Sequence, residues 1–211
     1  MIKAVLWDFG GVILSSPFDA FERYEEVNGL PAGFIRSLNA TNPDTNAWAR
    51  LERSEVDFDE FCRLFEDEAE GAGHRIDARQ VMALLAGEIR PQMVEALRRC
   101  RQHGLRTACL TNNFVGFPAE EREERAGGHG EVLDLFDVIV ESSKAGVRKP
   151  DPRFYELACE QLGIEPKEAV FLDDLGVNLK PARAMGMTTI KVGDPDRALD
   201  ELEAVVGFSV R

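Results

Sequence analysis

Apolar positions along this chain fall into two textures. Val5-Leu6-Trp7, Leu105 to Leu110, Val138-Ile139-Val140, Ala169-Val170-Phe171-Leu172 and Thr188 to Val192 are short aliphatic or β-branched runs bounded by Gly, Pro, Asn or Asp. Runs of that length and composition predict strands buried on both faces. Between them, apolar residues recur at helical spacing. Pro91 to His103 carries Met93, Val94, Leu97 and Cys100 on one stripe, and Pro152 to Leu162 carries Phe154, Leu157, Ala158 and Gln161. Asp151 followed by Pro152 supplies a cap and first-turn pair for the second helix. Strands alternating with helices predict an α/β fold of the Rossmann-like, doubly wound kind, with a parallel sheet covered on both sides.

One region breaks the alternation. From Pro17 to Gly87 no strand pattern occurs, while Phe18, Phe21, Tyr24 and Val27, and later Phe58, Phe61, Leu64 and Phe65, repeat at helical spacing. Such aromatic stripes predict core between helices and not a cofactor site. The expected layout is an α/β core made of residues 1–16 and 88–211, interrupted by a helical insert over 17–87. Glu120 to Gly130, rich in charge and glycine, reads as a mobile loop.

Composition narrows the function. With 44% hydrophobic residues over 211 positions there is enough apolar material for a packed core. The 38 acidic side chains against 25 Lys plus Arg give a net charge of −13, which disfavours nucleic acid and anionic membrane surfaces as partners. Arg98, Arg99 and Arg101, and the scattered Arg122 and Arg125, are interrupted by Cys100 or by acids and read as solvated helix faces. No apolar run reaches the length of a membrane span, and Met1 leads straight into Ile2 to Leu6 without a signal-peptide pattern. The expectation is a cytoplasmic monomer or homodimer. Cys62, Cys100, Cys109 and Cys159 form no Cys-x-x-Cys pair, and His74, His103 and His129 show no ligand spacing, so neither a zinc site nor a histidine base is indicated. Carboxylates remain to do the chemistry.

In an open parallel sheet, ligands bind beyond the carboxyl ends of the strands. There the chain places Asp8-Phe9-Gly10-Gly11-Val12, Thr111-Asn112-Asn113, Ser142-Ser143-Lys144 leading to Lys149-Pro150-Asp151, and Asp173-Asp174. Acids, a hydroxyl and a lysine at successive strand ends form an inventory for metal-assisted chemistry on a phosphate. Magnesium takes oxygen ligands and keeps waters, so Asp8 and Asp174 with a backbone carbonyl suit it. A carboxylate beside the metal can attack phosphorus, and Lys149 and the Thr111 hydroxyl can stabilise the transferring oxygens.

These residues resemble the motifs of the haloacid dehalogenase superfamily, subfamily IA, over Ile2 to about Phe208. Asp8-Phe9-Gly10-Gly11-Val12 matches the first motif except at its second acid, and Leu110-Thr111-Asn112 matches the second. Gly146 to Pro152 matches the lysine motif, and Phe171-Leu172-Asp173-Asp174 with Asn178 to Arg183 and Gly186-Met187 matches the acidic one. More narrowly, the last two stretches and the tail are similar to the phosphatase domain at the N-terminus of soluble epoxide hydrolases and to related bacterial phosphatases. The resemblance implies a C1-type helical cap over 17–87, Asp8 as nucleophile and magnesium ligand, and a metal contact from the Gly10 carbonyl. It makes Asp174 the acidic metal ligand, Thr111 and Asn112 the phosphoryl-holding residues, and Lys149 the cation that orients Asp8. Asp173 and Asn178 become supporting residues, and Lys144 a loop residue.

The expected function is magnesium-dependent hydrolysis of a small phosphorylated metabolite. Gly10 stands where relatives have the general acid, a loss that typically lowers rates by about 10²–10⁴. A phospho-ligand binder without turnover is the alternative. Dehalogenation of a 2-haloacid is disfavoured, because Asp173 and Asp174 would repel an anionic substrate that brings no metal.

Overall fold

All five expected strands form. The computed structural model describes residues 1–85, 87–113 and 129–211. Strands β1 (Ala4–Trp7), β2 (Arg106–Thr111), β3 (Val138–Glu141), β4 (Ala169–Asp173) and β5 (Thr188–Lys191) pair in the order β3-β2-β1-β4-β5. Every pairing is parallel, with Trp7 opposite Cys109 on one side and Leu172 on the other. The strand order reverses at β1, so the crevice at its carboxyl end is the ligand position of this architecture.

Alternating side chains feed two cores. Val5, Trp7, Cys109, Val170 and Leu172 pack beneath helices Pro91–Gln102 and Pro195–Val206. Ala4, Leu6, Leu110 and Phe171 pack beneath helices Pro152–Leu162 and Gly176–Ala184. All four cysteines are buried and unbridged, as small core residues. Trp7, next to Asp8, is fully buried in the first core, so it is packing and not pocket wall. On Pro152–Leu162 the expected stripe is displaced. Gln161 is exposed and Leu157 only half-buried, whereas Phe154, Tyr155, Ala158, Cys159 and Leu162 face the sheet. Asp151 caps this helix by accepting from Arg153 N at 2.9 Å.

The chain leaves the sheet region after Ile13 and returns at Ile89. Leu14 and Ile89 form an antiparallel bridge, flanked by Ser15 N to Glu88 O at 2.8 Å and Arg90 N to Ile13 O at 2.9 Å. Between these crossings the described residues are helical: α1 (Phe18–Val27), α2 (Phe34–Ala40), α3 (Ala47–Glu52), α4 (Phe58–Gly71) and α5 (Ala78–Ala83). They enclose a separate apolar cluster containing Phe21, Phe34, Phe58, Phe61, Phe65 and Met82. Val27 leaves its expected stripe and is exposed. Of the expected mobile loop, 120–128 lie outside the described residues, as do Arg122 and Arg125, while His129 and Gly130 open the helix His129–Leu133. Among the described residues no helix is long and apolar enough to cross a membrane.

Candidate active site

Asp8 follows β1 and still belongs to the sheet, its N–H donating to Leu172 O at 2.9 Å. Its Oδ1 accepts from Phe9 N at 2.7 Å and from Lys149 Nζ at 2.9 Å. Its Oδ2 has no hydrogen-bond partner among the described residues. The chain then turns sharply. Gly10 (φ −70°, ψ 132°) and Gly11 (φ 76°, ψ −10°) have the dihedrals of a type II turn, whose second central position needs a positive φ. A Cβ on Gly11 would lie 2.3 Å from Asp174 Oδ2, so glycine is required for the dihedral and for the close approach of that carboxylate. A Cβ on Gly10 would meet nothing within 4 Å. The missing second acid therefore leaves open space and not a filled site.

Lys149 is 1% exposed, and its Nζ bridges Asp8 Oδ1 and Asp173 Oδ2, the latter at 2.8 Å. Burial alone would push its ammonium down, but Asp173 and Asp8 hold it above the usual lysine range. Asp173, wholly buried at the end of β4, is saturated. Besides Lys149 it accepts from Leu175 N at 2.8 Å and from Asn178 Nδ2 at 3.1 and 3.0 Å on its two oxygens. Asn178 is held in turn, its carbonyl accepting from Tyr155 Oη at 2.7 Å. Asp174 makes none of these bonds, and burial, reinforced by Asp173, pushes its carboxyl up to about 6. Asp8 is raised well above the ordinary carboxylate range, by burial first and by Asp173 and Asp174 after it, despite Lys149.

Thr111 closes β2 beside β1, half-buried, with no side-chain partner among the described residues. The Asn112 side chain is engaged within the protein. Its Nδ2 donates to Lys149 O at 3.0 Å and its Oδ1 accepts from Lys149 N at 2.9 Å, so both ends of the amide clamp the lysine backbone. Lys144 is exposed and ion-paired with Glu141, but it lies in the short helix Ser142–Ala145 and not in the expected loop. Arg90 is a neighbour that the motifs do not indicate. It donates to Gly11 O at 2.7 Å, and its charge lowers Asp174. Its only sequence signal is its place before the helix-initiating Pro91.

The donor set fits a hard divalent cation. Asp8, Asp173 and Asp174 offer carboxylate oxygens lying within 4.8 Å of one another. With Asp173 saturated by protein donors, Asp8 and Asp174 remain, and their raised carboxyls mark negative charge that one lysine does not balance. Oxygen donors alone, without sulfur or imidazole, suit magnesium.

Comparison with known proteins shows the family. Residues 2–186 match the family model for haloacid dehalogenase-like hydrolases. The pig protein bifunctional epoxide hydrolase 2 is 36% identical over 99% of this chain, which spans only 40% of that protein. The chain likewise spans well under half of several other curated relatives it matches. Phosphatase MT3486 of Mycobacterium tuberculosis is 30% identical, with 97% of this chain and 92% of that protein covered. A haloacid dehalogenase family enzyme from Bacteroides thetaiotaomicron, solved with magnesium and inorganic phosphate, shares the fold. Its TM-score is 0.61 at 20% identity, covering 92% of this chain and 96% of that one.

Proposed function

The chain belongs to the haloacid dehalogenase-like hydrolases, and on that footing we propose that it is a magnesium-dependent phosphomonoester hydrolase acting through an aspartyl phosphate on Asp8. The observation that carries this reading is the cluster of Asp8, Asp173 and Asp174 at the switch point of the sheet, the first two paired with one buried lysine. The phosphatase among its relatives supports the same reaction class. The substrate is a small organic phosphate, selected by a cap made of residues 17–87 over the core of 1–16 and 88–211.

In this reading Asp8 Oδ2, the carboxylate oxygen without a hydrogen bond among the described residues, attacks phosphorus, and the bond from phosphorus to the leaving oxygen breaks. Position 10 holds no acid, so that oxygen takes its proton from solvent. Water then attacks the aspartyl phosphate, releasing phosphate and restoring Asp8. Lys149 Nζ holds Asp8 in place and offsets charge near the transferring group, and the Thr111 hydroxyl donates to a phosphoryl oxygen. Asn112, Asp173 and Asn178 act through Lys149. Asp8, Asp174 and the Gly10 carbonyl would hold the metal. Magnesium bound there supplies charge neutralisation for the phosphoryl group and its dianionic ground state.

Phosphate release from phosphorylated metabolites, with and without magnesium, tests the proposal. Asp8→Asn is expected to lower release by at least about 10³-fold; equal activity in that variant would remove the nucleophile assignment. Gly10 favours one alternative, a phospho-ligand binder without turnover, which magnesium-dependent binding without release would support. Open space at position 10 makes a direct comparison feasible. Gly10→Asp should flatten the dependence of rate on leaving-group pKa.

A further inference from the structure

Glu52 ends α3 and is buried although it is a carboxylate. Its Oε1 accepts from Trp48 Nε1 at 3.1 Å. The Trp48 ring packs edge-on against both Phe61 and Phe65, 5.6 Å from each, so the core of the helical insert holds this carboxylate in place. Its Oε2 pairs with Arg148 Nη1 at 2.9 Å, across the boundary between insert and sheet domain, with the side chains only 9% and 19% exposed.

Arg148 precedes Lys149, and the same guanidinium donates from Nε to Lys149 O at 3.2 Å. That carbonyl is one of the two groups clamped by Asn112, and the lysine's Nζ lies between Asp8 and Asp173. A second contact runs beside the first. Ser54 Oγ donates to Ser143 O at 3.2 Å, joining the turn after α3 to the short helix Ser142–Ala145 that precedes Lys149. A continuous path of polar contacts thus leads from the insert to the lysine that touches the proposed nucleophile.

We infer that Glu52 and Arg148 are positioning residues: seating of the helical insert through their ion pair sets the backbone of Lys149 and so the place of its ammonium between Asp8 and Asp173. The kinetic consequences rest on the phosphatase reading, while the structural ones do not. Glu52 Oε2 meets the Arg148 guanidinium at ion-pair distance without accepting a hydrogen bond among the described residues, so Coulomb attraction at a partly buried boundary, screened less than at the open surface, holds the pair. The planar guanidinium serves Glu52 and the Lys149 carbonyl at once, which a lysine ammonium on a flexible stem cannot do in the same geometry. A displacement of about 1 Å at a reacting group can cost about 10²-fold in rate.

The experiment compares wild type, Glu52→Gln, Arg148→Lys, Arg148→Gln and the double variant Glu52→Gln/Arg148→Gln. Each is assayed with para-nitrophenyl phosphate and magnesium, after a thermal melt to show that it folds. Each single variant should lower kcat about 10- to 100-fold with KM little changed, and the double should be no worse than Arg148→Gln alone, because both changes break one path. Arg148→Lys decides between positioning and simple adhesion: it keeps a charge opposite Glu52 and should hold stability, yet should lose kcat. Hydrogen exchange gives a readout independent of turnover. In Glu52→Gln the amides of 142–149 should exchange faster while β1 and β4 are unchanged. Full kcat in folded Arg148→Lys, multiplied losses in the double variant, or unchanged exchange in 142–149 would each overturn the inference. If wild type releases no phosphate, or Asp8→Asn releases as much, the phosphatase reading fails and the exchange result alone decides the positioning role.

Discussion

Replacing Asp174 with Asn should stabilise the metal-free protein, and the gain should shrink as pH falls. Burial and the neighbouring Asp173 push the Asp174 carboxyl from its ordinary 3.8 up to about 6. Because the folded value is the higher one, the folded chain binds the extra proton between these limits. Stability therefore falls as pH rises through the window and levels off above about pH 7. At about 1.4 kcal/mol per pH unit the ceiling is about 3 kcal/mol. Asp174 is half-buried, so solvent screening reduces this to about 1–2 kcal/mol. Asn is close in shape, and no hydrogen bond to another described residue is lost with the carboxylate.

Urea unfolding in the presence of a chelator measures the effect. The Asp174→Asn change should add about 1–2 kcal/mol at pH 8 and roughly half as much at pH 5, since the penalty disappears only below the unfolded value of 3.8. Millimolar magnesium should reverse the order at pH 8, because a bound cation turns the same carboxylate from a liability into a ligand. A loss of stability at pH 8 without metal would refute the reasoning, and so would an equal gain at both pH values. The first would mean that Asp174 is satisfied in the metal-free chain, and the second that its charge is not the cause.

Three further changes probe the same geometry. Gly11→Ala combines a φ of 76° with a Cβ 2.3 Å from Asp174 Oδ2 and should cost about 1–3 kcal/mol and abolish the response to magnesium, whereas Gly10→Ala should be nearly silent in urea unfolding. Lys149→Met leaves Asp8 and Asp173 buried without their cation and should cost about 3–5 kcal/mol at pH 8, a cost that lessens as pH falls and the raised Asp8 carboxyl takes up its proton; unchanged midpoints would contradict the ion-pair account. Asn112→Ala removes both hydrogen bonds to the Lys149 backbone and should lower kcat for phosphate release more than it raises KM, an outcome reversed if the side chain binds substrate directly.

The strands were legible because each is buried on both faces, so aliphatic texture and bounding polar residues coincide with the element. The stripe on Pro152–Leu162 was less so. Leu157 is the more apolar side chain, yet Tyr155 takes the buried position, because its hydroxyl finds the Asn178 carbonyl at 2.7 Å and its ring lies edge-on to Phe171. Motif spacing indicated Asn112 but could not show that its amide turns to a lysine 37 positions away. Glu52 carried no signal at all. A single acid at a helix end is ordinary, and its meaning comes from Arg148, which meets it only when the helical insert folds against the loop.

The adjacent acids after Phe171 needed the fold most. Neighbouring residues at a strand end point to opposite sides, so one residue of register divides Asp173 from Asp174. Pairing of Asp173 with Lys191 turns it inward, onto Lys149 and Asn178, where hydrogen bonds fill both of its oxygens. Asp174 is left at the mouth against the bare Gly11 backbone. The division of labour follows from that geometry: the saturated acid keeps a buried lysine charged, and the unsaturated one faces the crevice beside Asp8. Three carboxylates then stand against one buried lysine, within a chain of net charge −13. On the proposed reading a phosphate dianion approaching that set meets repulsion until a cation occupies it, so the acidity that disfavours extended polyanions should also make binding of a small phosphate conditional on the metal, and phosphate binding with a chelator equal to that with magnesium would refute this.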